Sequence, residues 1–484
     1  MVSMRRLVVA TTIACAGCAQ LFGIDNTTGA RDAAAGASLA VTRISVGATE
    51  LTAPQDLTGQ TATFYAPGVD PTTLDATTGT LAGDTWTSGL PGTPLVVFTL
   101  PAYPTALSYA MALPAAAQKF GYVVLEHPNP TAADANAMVT VQGTLATSFV
   151  MGESLEFYVV GAWVDNNLAV LPSPGTTAVN TTFAYSSSTS LTGRPLESFT
   201  TADRVLLLRY TSGVLTGAGQ ASPIAQSATS TTVVIGPIAT VSATTTGSPA
   251  LDQITLGQRF AQTTPLTSTL DVSWTAAAEA APGVFAGPVL QSGTVAPTAT
   301  SIAYAFGNPF ATTNQWGSAL SVQAVATRSY TPASPAIPIT LTASLSQLVD
   351  PTAMPTLNFP AGLPTSISID GTMLTDGATI SIDPTAAVTA TIATDHTTNT
   401  LYSLTLISLV PNAGMTAFDE QVQFTVTGTS PTFTLPPQLF PAGLYTFRAR
   451  CDAGNYPGAA SGDLTMTSFP DAIGTLESGV FTVQ

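Results

Sequence analysis

The sequence predicts an all-β protein built from several β-sandwiches in tandem, and three observations support that prediction. Polar and apolar residues alternate with a period of two in many short segments, as in strands that bury one face. The chain contains 39 glycines and 36 prolines, which interrupt these segments about every ten residues, the spacing of turns in sandwiches. Windows with helical periodicity are nearly absent.

The length of the chain predicts its number of domains, and its charge argues against nucleic acid as a partner. The chain has 484 residues, and at about 100–150 residues per domain this length predicts three to four domains. Charged residues make up 8 %, hydrophobic residues 45 %, and the net charge is −16. A sparse negative charge argues against nucleic-acid binding, which needs a basic patch to neutralise phosphates.

The N-terminus, residues 1–17, has the pattern of a secretory signal. Arg5 and Arg6 precede a short apolar run at residues 7–14. That run is too short to span a bilayer, which takes about 20 residues. A basic start, a short apolar run and small residues after it predict export.

The residues Ala16-Gly17-Cys18 resemble the end of a bacterial lipobox, in which an aliphatic residue and two small residues precede a cysteine. The resemblance implies a diacylglyceryl group on the Cys18 thiol, cleavage just before Cys18 and acylation of the new amine. Cys15 stands where the family usually has leucine. Cys18 is therefore the predicted lipidation site and the anchor to a membrane.

Two alternatives use the same residues. Cys15 is the lipidated residue if Thr12-Ile13-Ala14 forms the lipobox. Alternatively, Ala14-Cys15-Ala16 is an ordinary A-x-A cleavage site that releases a soluble protein.

The cysteines do not predict a zinc site or a disulfide. A structural zinc needs four ligands, and the remaining candidates, Cys451, His127 and His396, lie far from the first two cysteines in the sequence. After cleavage only Cys18 and Cys451 remain, and the lipid blocks Cys18. We predict no metal and no cofactor, and expect Cys451 to be a buried hydrophobic residue.

Residues 18–37 are mostly small and polar and predict a flexible tether. The stretch CAQLFGIDNTT resembles the start of many lipoproteins from myxobacteria and their relatives. In enterobacteria an aspartate after the lipidated cysteine retains the protein in the inner membrane. Ala19 follows Cys18 here, so the resemblance implies a cell-envelope protein of the outer membrane.

Composition breaks divide the remaining chain into four predicted β-sandwiches, of which the first two could instead form a single larger sandwich. Their boundaries are 38–142, 143–238, 239–345 and 346–484. Strand periodicity is clearest at residues 107–113, 155–163, 270–274 and 422–426.

The last unit supports a more specific prediction. Its alternating strands and Asp-Gly turns are followed by LYSLTLISL, EQVQFTVTG and PTFTLPPQLFPAGLYTFRARC. This order resembles a fibronectin type III or related immunoglobulin-like domain. Tyr445 matches the tyrosine that begins the F strand and bonds back to the E–F corner. The resemblance implies that Phe447, Ala449 and Cys451 point inward.

The third unit repeats part of this pattern. The segment LDVSWTA resembles a B strand whose core residue is Trp274, and ALSVQAVA resembles an F strand. Leu320 occupies the position of the tyrosine. We predict a fibronectin type III-like sandwich for 239–345 as well.

The sequence contains no recognised catalytic motif. Neither G-x-S-x-G nor H-E-x-x-H occurs, and we expect His127 and His396 to be exposed loop residues. Glu153 and Glu156 lie three positions apart in or near a strand, so we expect them on opposite faces.

Asp419 and Glu420 are adjacent at the start of a predicted strand, and we expect them to be solvated. Asp452, Asn455 and Asp463 could ligate calcium between sandwiches, but they lack an EF-hand or repeat-type calcium pattern, so we expect turn chemistry there.

The four tryptophans are candidate sugar-stacking residues. Trp163 and Trp274 alternate with apolar residues and should be buried. Trp86 in GDTWTSG and Trp316 in TNQWGS have polar, Gly-flanked surroundings, so we expect exposed rings there. Trp86 and Trp316 are therefore the candidate binding residues.

These patterns predict a non-catalytic cell-envelope lipoprotein that acts as a spacer, adhesin or binding scaffold. Its partners would be the membrane, through the lipid anchor, and a protein or glycan ligand. The alternative is an envelope carbohydrate-binding protein or hydrolase whose site is assembled from scattered residues.

Overall fold

A computed structural model describes the parts of the chain that follow. They are residues 36–46, 50–70, 72–100, 107–125, 131–191, 194–263, 270–279, 287–353, 355–396, 398–454, 456–468 and 471–484. All of them belong to one compact unit, Gly36–Gln484. The predicted signal, Cys15, Cys18 and nearly all of the predicted tether lie outside the described residues.

The all-β prediction is confirmed, since about 54 % of the protein is strand and 6 % is helix. The helical segments are α1 (Gln253–Phe260), α2 (Phe310–Thr313) and the 3-10 turns η1 (Tyr185–Ser187), η2 (Pro351–Ala353), η3 (Pro437–Leu439) and η4 (Ala459–Ser461). Asp252 caps the N-terminus of helix α1, and its carboxylate accepts the Thr255 N–H at 3.0 Å. An aspartate at this position satisfies an amide that the helix leaves unpaired.

The N-terminal strands form a small sheet and a group of four strands. They are β1 (Ser38–Val46), β2 (Glu50–Pro54), β3 (Ala62–Pro67), β4 (Leu74–Thr78), β5 (Thr80–Ala82), β6 (Thr85–Thr87), β7 (Leu95–Leu100), β8 (Leu107–Ala112) and β9 (Ala117–Leu125). The small sheet contains β1, β2, β5, β6 and β9, and the group of four has the order β4–β3–β7–β8. Strand β1 pairs with β9 in parallel and with β2 and β6 in antiparallel orientation. Strand β7 lies between β3 and β8.

The next strands form a sandwich around its own core. They are β10 (Met138–Leu145), β11 (Glu153–Val160), β12 (Val164–Asn167), β13 (Ala178–Ala184), β14 (Thr189–Ser190), β15 (Arg204–Thr211), β16 (Val214–Gln220) and β17 (Ser230–Thr240). One layer is β13–β10–β17, and the other is built on β12–β11–β15–β16. Phe157, Leu207 and Val233 are among the fully buried residues between the layers.

The third group contributes long antiparallel strands. They are β18 (Thr245–Gly247), β19 (Asp271–Glu279), β20 (Val289–Val295), β21 (Tyr304–Phe306), β22 (Gly317–Tyr330) and β23 (Ile339–Val349). Strands β20, β19, β22 and β23 are neighbours in that order. Trp274 lies in the core of this group, and Trp163 packs into the same core from the preceding sandwich. Both are buried as predicted.

The C-terminal group forms a second sandwich. Its strands are β24 (Pro364–Ile369), β25 (Thr372–Met373), β26 (Ala378–Ile380), β27 (Val388–Thr394), β28 (Leu401–Pro411), β29 (Phe418–Gly428), β30 (Thr432–Leu435), β31 (Gly443–Ala453), β32 (Asp463–Leu464), β33 (Asp471–Glu477) and β34 (Phe481–Val483). The β25–β24–β27–β30 layer faces the layer that contains β29, β28 and β31. Phe447, Ala449 and Cys451 are fully buried, as predicted.

Strand pairs connect the beginning of the chain to its end. Strand β8 pairs in parallel with β29, and β9 pairs in parallel with β32. Strand β33 then joins β31 to β23. A continuous hydrogen-bonded path therefore runs β8–β29–β28–β31–β33–β23–β22. It links the segments 38–142, 239–345 and 346–484 at their edges, while the boundaries between those segments stay a prediction.

Candidate functional site

A cleft of about 510 Å³ lies over the outer face of this continuous path of strands. We call it the hydroxyl cleft because serine and threonine side chains form much of its floor: Ser344, Ser346, Ser403, Thr405, Thr425, Thr427 and Thr475. Ligand pockets typically measure about 300–1,000 Å³. The strand register arranges the floor in three cross-strand rows.

The first row begins at an aromatic ring and ends at a guanidinium group. Tyr109 on β8 is beside Thr425 on β29, and Thr425 is opposite Thr405 on β28. Thr405 is in turn opposite Arg448 on β31. The two threonine hydroxyls are 3.0 Å apart and share one hydrogen bond.

The second row crosses five strands. It contains Thr427, Ser403, Arg450, Thr475 and Ser344 in that order. The hydroxyls of Ser403 and Thr427 are 2.9 Å apart, and those of Ser344 and Thr475 are 2.7 Å apart. Each bonded pair keeps one donor and several lone pairs for another partner.

The third row closes the floor at the other end. Leu401 is opposite Asp452, Asp452 is opposite Ile473, and Ile473 is opposite Ser346. Alternation explains why all three rows face the cleft. In SLTL, TVTG and RARC every second residue is polar, and the residues between them are buried in the sandwich core.

The wall across from the floor comes from the N-terminal sheet and its C-terminal partner strand. Phe120 and Gly121 on β9, Leu464 on β32 and the Tyr456 ring line it. A Cβ atom at position 121 would lie 2.8 Å from the Leu464 carbonyl oxygen, so the close approach of β9 to β32 requires glycine. The Phe120 ring is 5.3 Å from the Tyr109 ring.

The charged groups of the cleft are paired with each other. Arg450 Nε donates to both carboxylate oxygens of Asp452, at 3.0 and 2.9 Å. The Asp452 side chain is only 1 % exposed, whereas the Arg450 side chain is 38 % exposed. The cleft therefore presents the donor side of the pair, and the negative charge lies beneath it.

Arg448 repeats this arrangement in the first row. Its Nε and Nη2 atoms donate to Glu477 Oε1 at 3.1 and 2.6 Å. Buried Glu477 also accepts the Thr342 backbone N–H at 2.8 Å and the Thr342 hydroxyl at 3.1 Å. An exposed carboxylate, that of Glu420, lies 3.6 Å from Arg448.

One carboxyl group near the cleft has an unusual environment. Burial, together with the Asp452 charge, raises the pKa of Asp471 to about 7, although the Arg450 charge acts in the opposite direction. Its Oδ1 atom is buried without a hydrogen-bond partner among the described residues.

The expected exposure of Trp86 and Trp316 is wrong. Trp86 on β6 is 1 % exposed and packs 6.0 Å from Phe98, because its register with β1 directs it into the core. Trp316 is 5 % exposed and packs 5.4 Å from Phe310. Neither tryptophan offers an open face on which a sugar could stack. Trp316 does line part of a second cavity of about 470 Å³.

The other candidate residues are dispersed. His396 is a half-exposed loop residue, as expected, and its Nδ1 lies 3.3 Å from Asp395 Oδ1. Glu153 forms a buried ion pair with Arg209 at 2.6 Å. Burial and the nearby Asp165 charge raise the pKa of Glu156 to about 7. His127 lies outside the described residues.

The described residues contain neither a cluster of metal-binding side chains nor a membrane-spanning helix. In the described part of the chain, no group of three or more His, Cys, Asp and Glu residues could hold a metal ion. None of the helices that the structure describes is long and apolar enough to cross a bilayer.

Comparison with known proteins adds no relative. No protein-family model matches the chain, and a search of curated proteins finds no significant match.

Proposed function

We propose that this chain is a non-catalytic lipoprotein of the bacterial cell envelope that acts as a β-sandwich binding scaffold. A lipid on Cys18 would anchor it in the outer membrane, and residues 18–37 would act as the tether. The basic start, the short apolar run and Ala16-Gly17-Cys18 support this address. Two acyl chains already anchor a protein stably, and three would hold it permanently.

The observation that supports binding without catalysis is the internal pairing of the charges in the hydroxyl cleft. A general base must be able to take up a proton near the working pH. The cleft carboxylate, Asp452, is instead held by two hydrogen bonds from Arg450. Glu477 is held in the same way by Arg448. The residues that line the cleft can therefore orient a ligand, and the carboxylate among them, Asp452, is not prepared to act as a base.

A glycoside hydrolase is the second candidate, because one observation favours it. Asp452 and Asp471 are neighbouring carboxyl groups with different environments, and burial raises the pKa of Asp471 to about 7. Pairs of this kind supply the acid and base of many hydrolases. Incubation with oligosaccharides, followed by mass spectrometry of the sugars, separates the candidates. We expect unchanged sugars, and hydrolysis that Asp471→Asn abolishes would contradict a non-catalytic role.

Mass spectrometry of the mature N-terminus tests the anchor. We expect the first peptide to begin at Cys18 and to carry lipid, and Cys18→Ala to abolish both lipidation and membrane association. Cys15→Ala is the matched control and should leave the anchor intact. An unmodified wild-type protein found free in the medium would overturn the proposal.

A further inference from the structure

We infer that the hydroxyl cleft is a binding site for a neutral oligosaccharide. The inference rests on the proposed function, since it names the ligand of the scaffold. The volume of the cleft is consistent with this class of ligand. A volume of about 510 Å³ lies within the range of pockets that hold small organic ligands. It therefore suits a short chain of sugar rings rather than a single ion.

The floor matches the hydrogen-bonding character of sugar hydroxyls. The Thr405–Thr425 pair lies in the first cross-strand row, and the Ser403–Thr427 and Ser344–Thr475 pairs both lie in the second. Adjacent strands are about 4.8 Å apart, and side chains on one face repeat about every 6.8 Å along a strand. The rows thus form a fixed grid of groups that both donate and accept. A ligand rich in hydroxyls can satisfy that grid without carrying charge.

The charge arrangement selects against anions. Arg448 and Arg450 face the cleft, but each is bound to a buried carboxylate, Glu477 or Asp452. A phosphate or a sugar acid would compete with these carboxylates for the guanidinium groups. A neutral hydroxyl can accept a hydrogen bond from the exposed side of either group while the ion pair stays intact. The ion pair fixes the position of each guanidinium group and neutralises its charge, and its exposed N–H groups stay able to donate hydrogen bonds.

Three aromatic rings provide the apolar part of the site. The Tyr109 ring, at the end of the floor, lies 5.3 Å from the Phe120 ring on the wall, and the Tyr456 ring lines the wall as well. A sugar ring presents C–H groups on its faces and hydroxyls around its rim. The aromatic rings can pack against the faces of a sugar ring, and the hydroxyls of the floor can form hydrogen bonds with those around its rim. Ligand pockets usually combine apolar surfaces with a few polar groups in this way.

A peptide is a poorer match for the same cleft. Peptides that bind sheets usually add a strand to an open edge. The floor strands β28, β31 and β33 already have a neighbouring strand on each side. The cleft is thus a sheet face, where side chains rather than backbone groups contact the ligand.

Calorimetry with a defined panel of sugars tests this inference. The full-length protein is purified in a detergent without a sugar headgroup and titrated with trisaccharides of glucose, mannose, galactose and N-acetylglucosamine. Trigalacturonic acid is the charged comparison. We expect at least one neutral sugar to bind and the charged sugar to bind more weakly. No binding by any neutral sugar, or tighter binding of the charged one, overturns the inference.

Paired substitutions assign the binding to the cleft. Thr405→Val/Thr425→Val removes one hydroxyl pair at nearly constant volume, and we expect at least tenfold weaker binding. Thr140→Val/Thr182→Val is the matched control, since these hydroxyls form a 2.8 Å cross-strand pair on another sheet. Equal affinity in both variants would overturn the assignment. If the cleft variant unfolds at a lower temperature than the control, Ser403→Ala/Thr427→Val replaces it.

Failure of this inference can be distinguished from failure of the proposed function. The state of Cys18 decides the anchor, and hydrolysis products decide catalysis, whatever the titrations show. Sugar binding with hydrolysis would retain the ligand class and reject the non-catalytic role. An anchored protein that binds no sugar would retain the address and reject the ligand.

Discussion

Arg259 in α1 binds Asp395 across 136 positions of the chain, with Nε 2.6 Å from Oδ2 and both side chains buried. The same guanidinium donates to the backbone carbonyls of Phe359 and Ala361, at 2.7 and 2.6 Å. The contact therefore ties the helix of the third strand group to the segment that enters the C-terminal sandwich. Four hydrogen bonds thus hold a guanidinium group that is nearly inaccessible to water.

Arg259→Leu should lower the free energy of unfolding by about 3–5 kcal/mol, because it leaves the Asp395 charge buried without its partner. Chemical denaturation followed by tryptophan fluorescence measures the change. Lys119→Leu is the control, since its ion pair with Asp463 is largely exposed and should contribute less than about 1 kcal/mol. Similar losses in the two variants would show that the buried pair has no special role.

Asp471→Asn should alter how stability depends on pH. Burial raises the pKa of Asp471 to about 7 from 3.8, so the folded protein holds a proton that the unfolded chain releases at lower pH. The stabilisation is thus complete below about pH 4 and is lost as the pH rises through 7.

The wild type should therefore lose roughly 1–3 kcal/mol more stability than Asp471→Asn between pH 5 and pH 8. Unfolding curves at several pH values measure this difference. Asp75→Asn, at an exposed position, is the control and should follow the wild type. Parallel curves for wild type and Asp471→Asn would contradict the assignment.

Trp163→Phe should destabilise the junction between the N-terminal sheet and the first sandwich. The indole Nε1 donates to the Val46 carbonyl at 2.5 Å, and both residues are fully buried. Loss of the donor leaves a buried carbonyl unpaired, at a cost of about 1–3 kcal/mol beyond the smaller ring. Trp86→Phe is the control for ring size, since Trp86 packs against Phe98. Equal melting temperatures for the two variants would argue against the bond.

Thiol titration should distinguish the possible N-termini. Burial raises the pKa of the Cys451 thiol, so the thiolate that reagents attack is scarce in the folded protein. We expect no labelling of the native mature protein and one thiol per chain after unfolding in urea, contributed by Cys451. Two thiols would mean that Cys18 carries no lipid. Cys451→Ala should reduce the count to zero.

Alternation was sufficient to predict the strands, because a strand with one buried face repeats every two residues. The segment LYSLTLISLVP forms β28, with Leu404 and Leu406 buried in the core and Ser403 and Thr405 facing the cleft. Phe447, Ala449 and Cys451, whose inward direction the fibronectin type III resemblance implied, are fully buried and alternate with polar residues in the same way.

Trp86 shows where the same reasoning fails. Strand β6 has three residues, too few for a period to be recognised, and its neighbours Thr85 and Thr87 made the segment look like a loop. Trp86 is buried because it is opposite Leu39 on β1. The residues around Trp86 in the sequence do not indicate which strand it pairs with.

The hydroxyl cleft could not be predicted from the sequence for a related reason. Its polar residues were visible as the outward positions of separate strands, for which exposure to solvent is the ordinary expectation. Their convergence depends on strand order, above all on the pairs β8–β29 and β23–β33. No local sequence pattern indicates that strands so far apart in the chain share one face.

The pairing of β8 with β29 and of β9 with β32 also constrains when the protein can fold. The partners of β8 and β9 are synthesised much later, since Phe424 on β29 pairs with Ser108 on β8, 316 positions earlier. The N-terminal strands therefore first exist with open edges, which favour aggregation. Contacts between distant segments also slow folding. The edges of the early strands close only when β29 pairs with β8 and β32 pairs with β9.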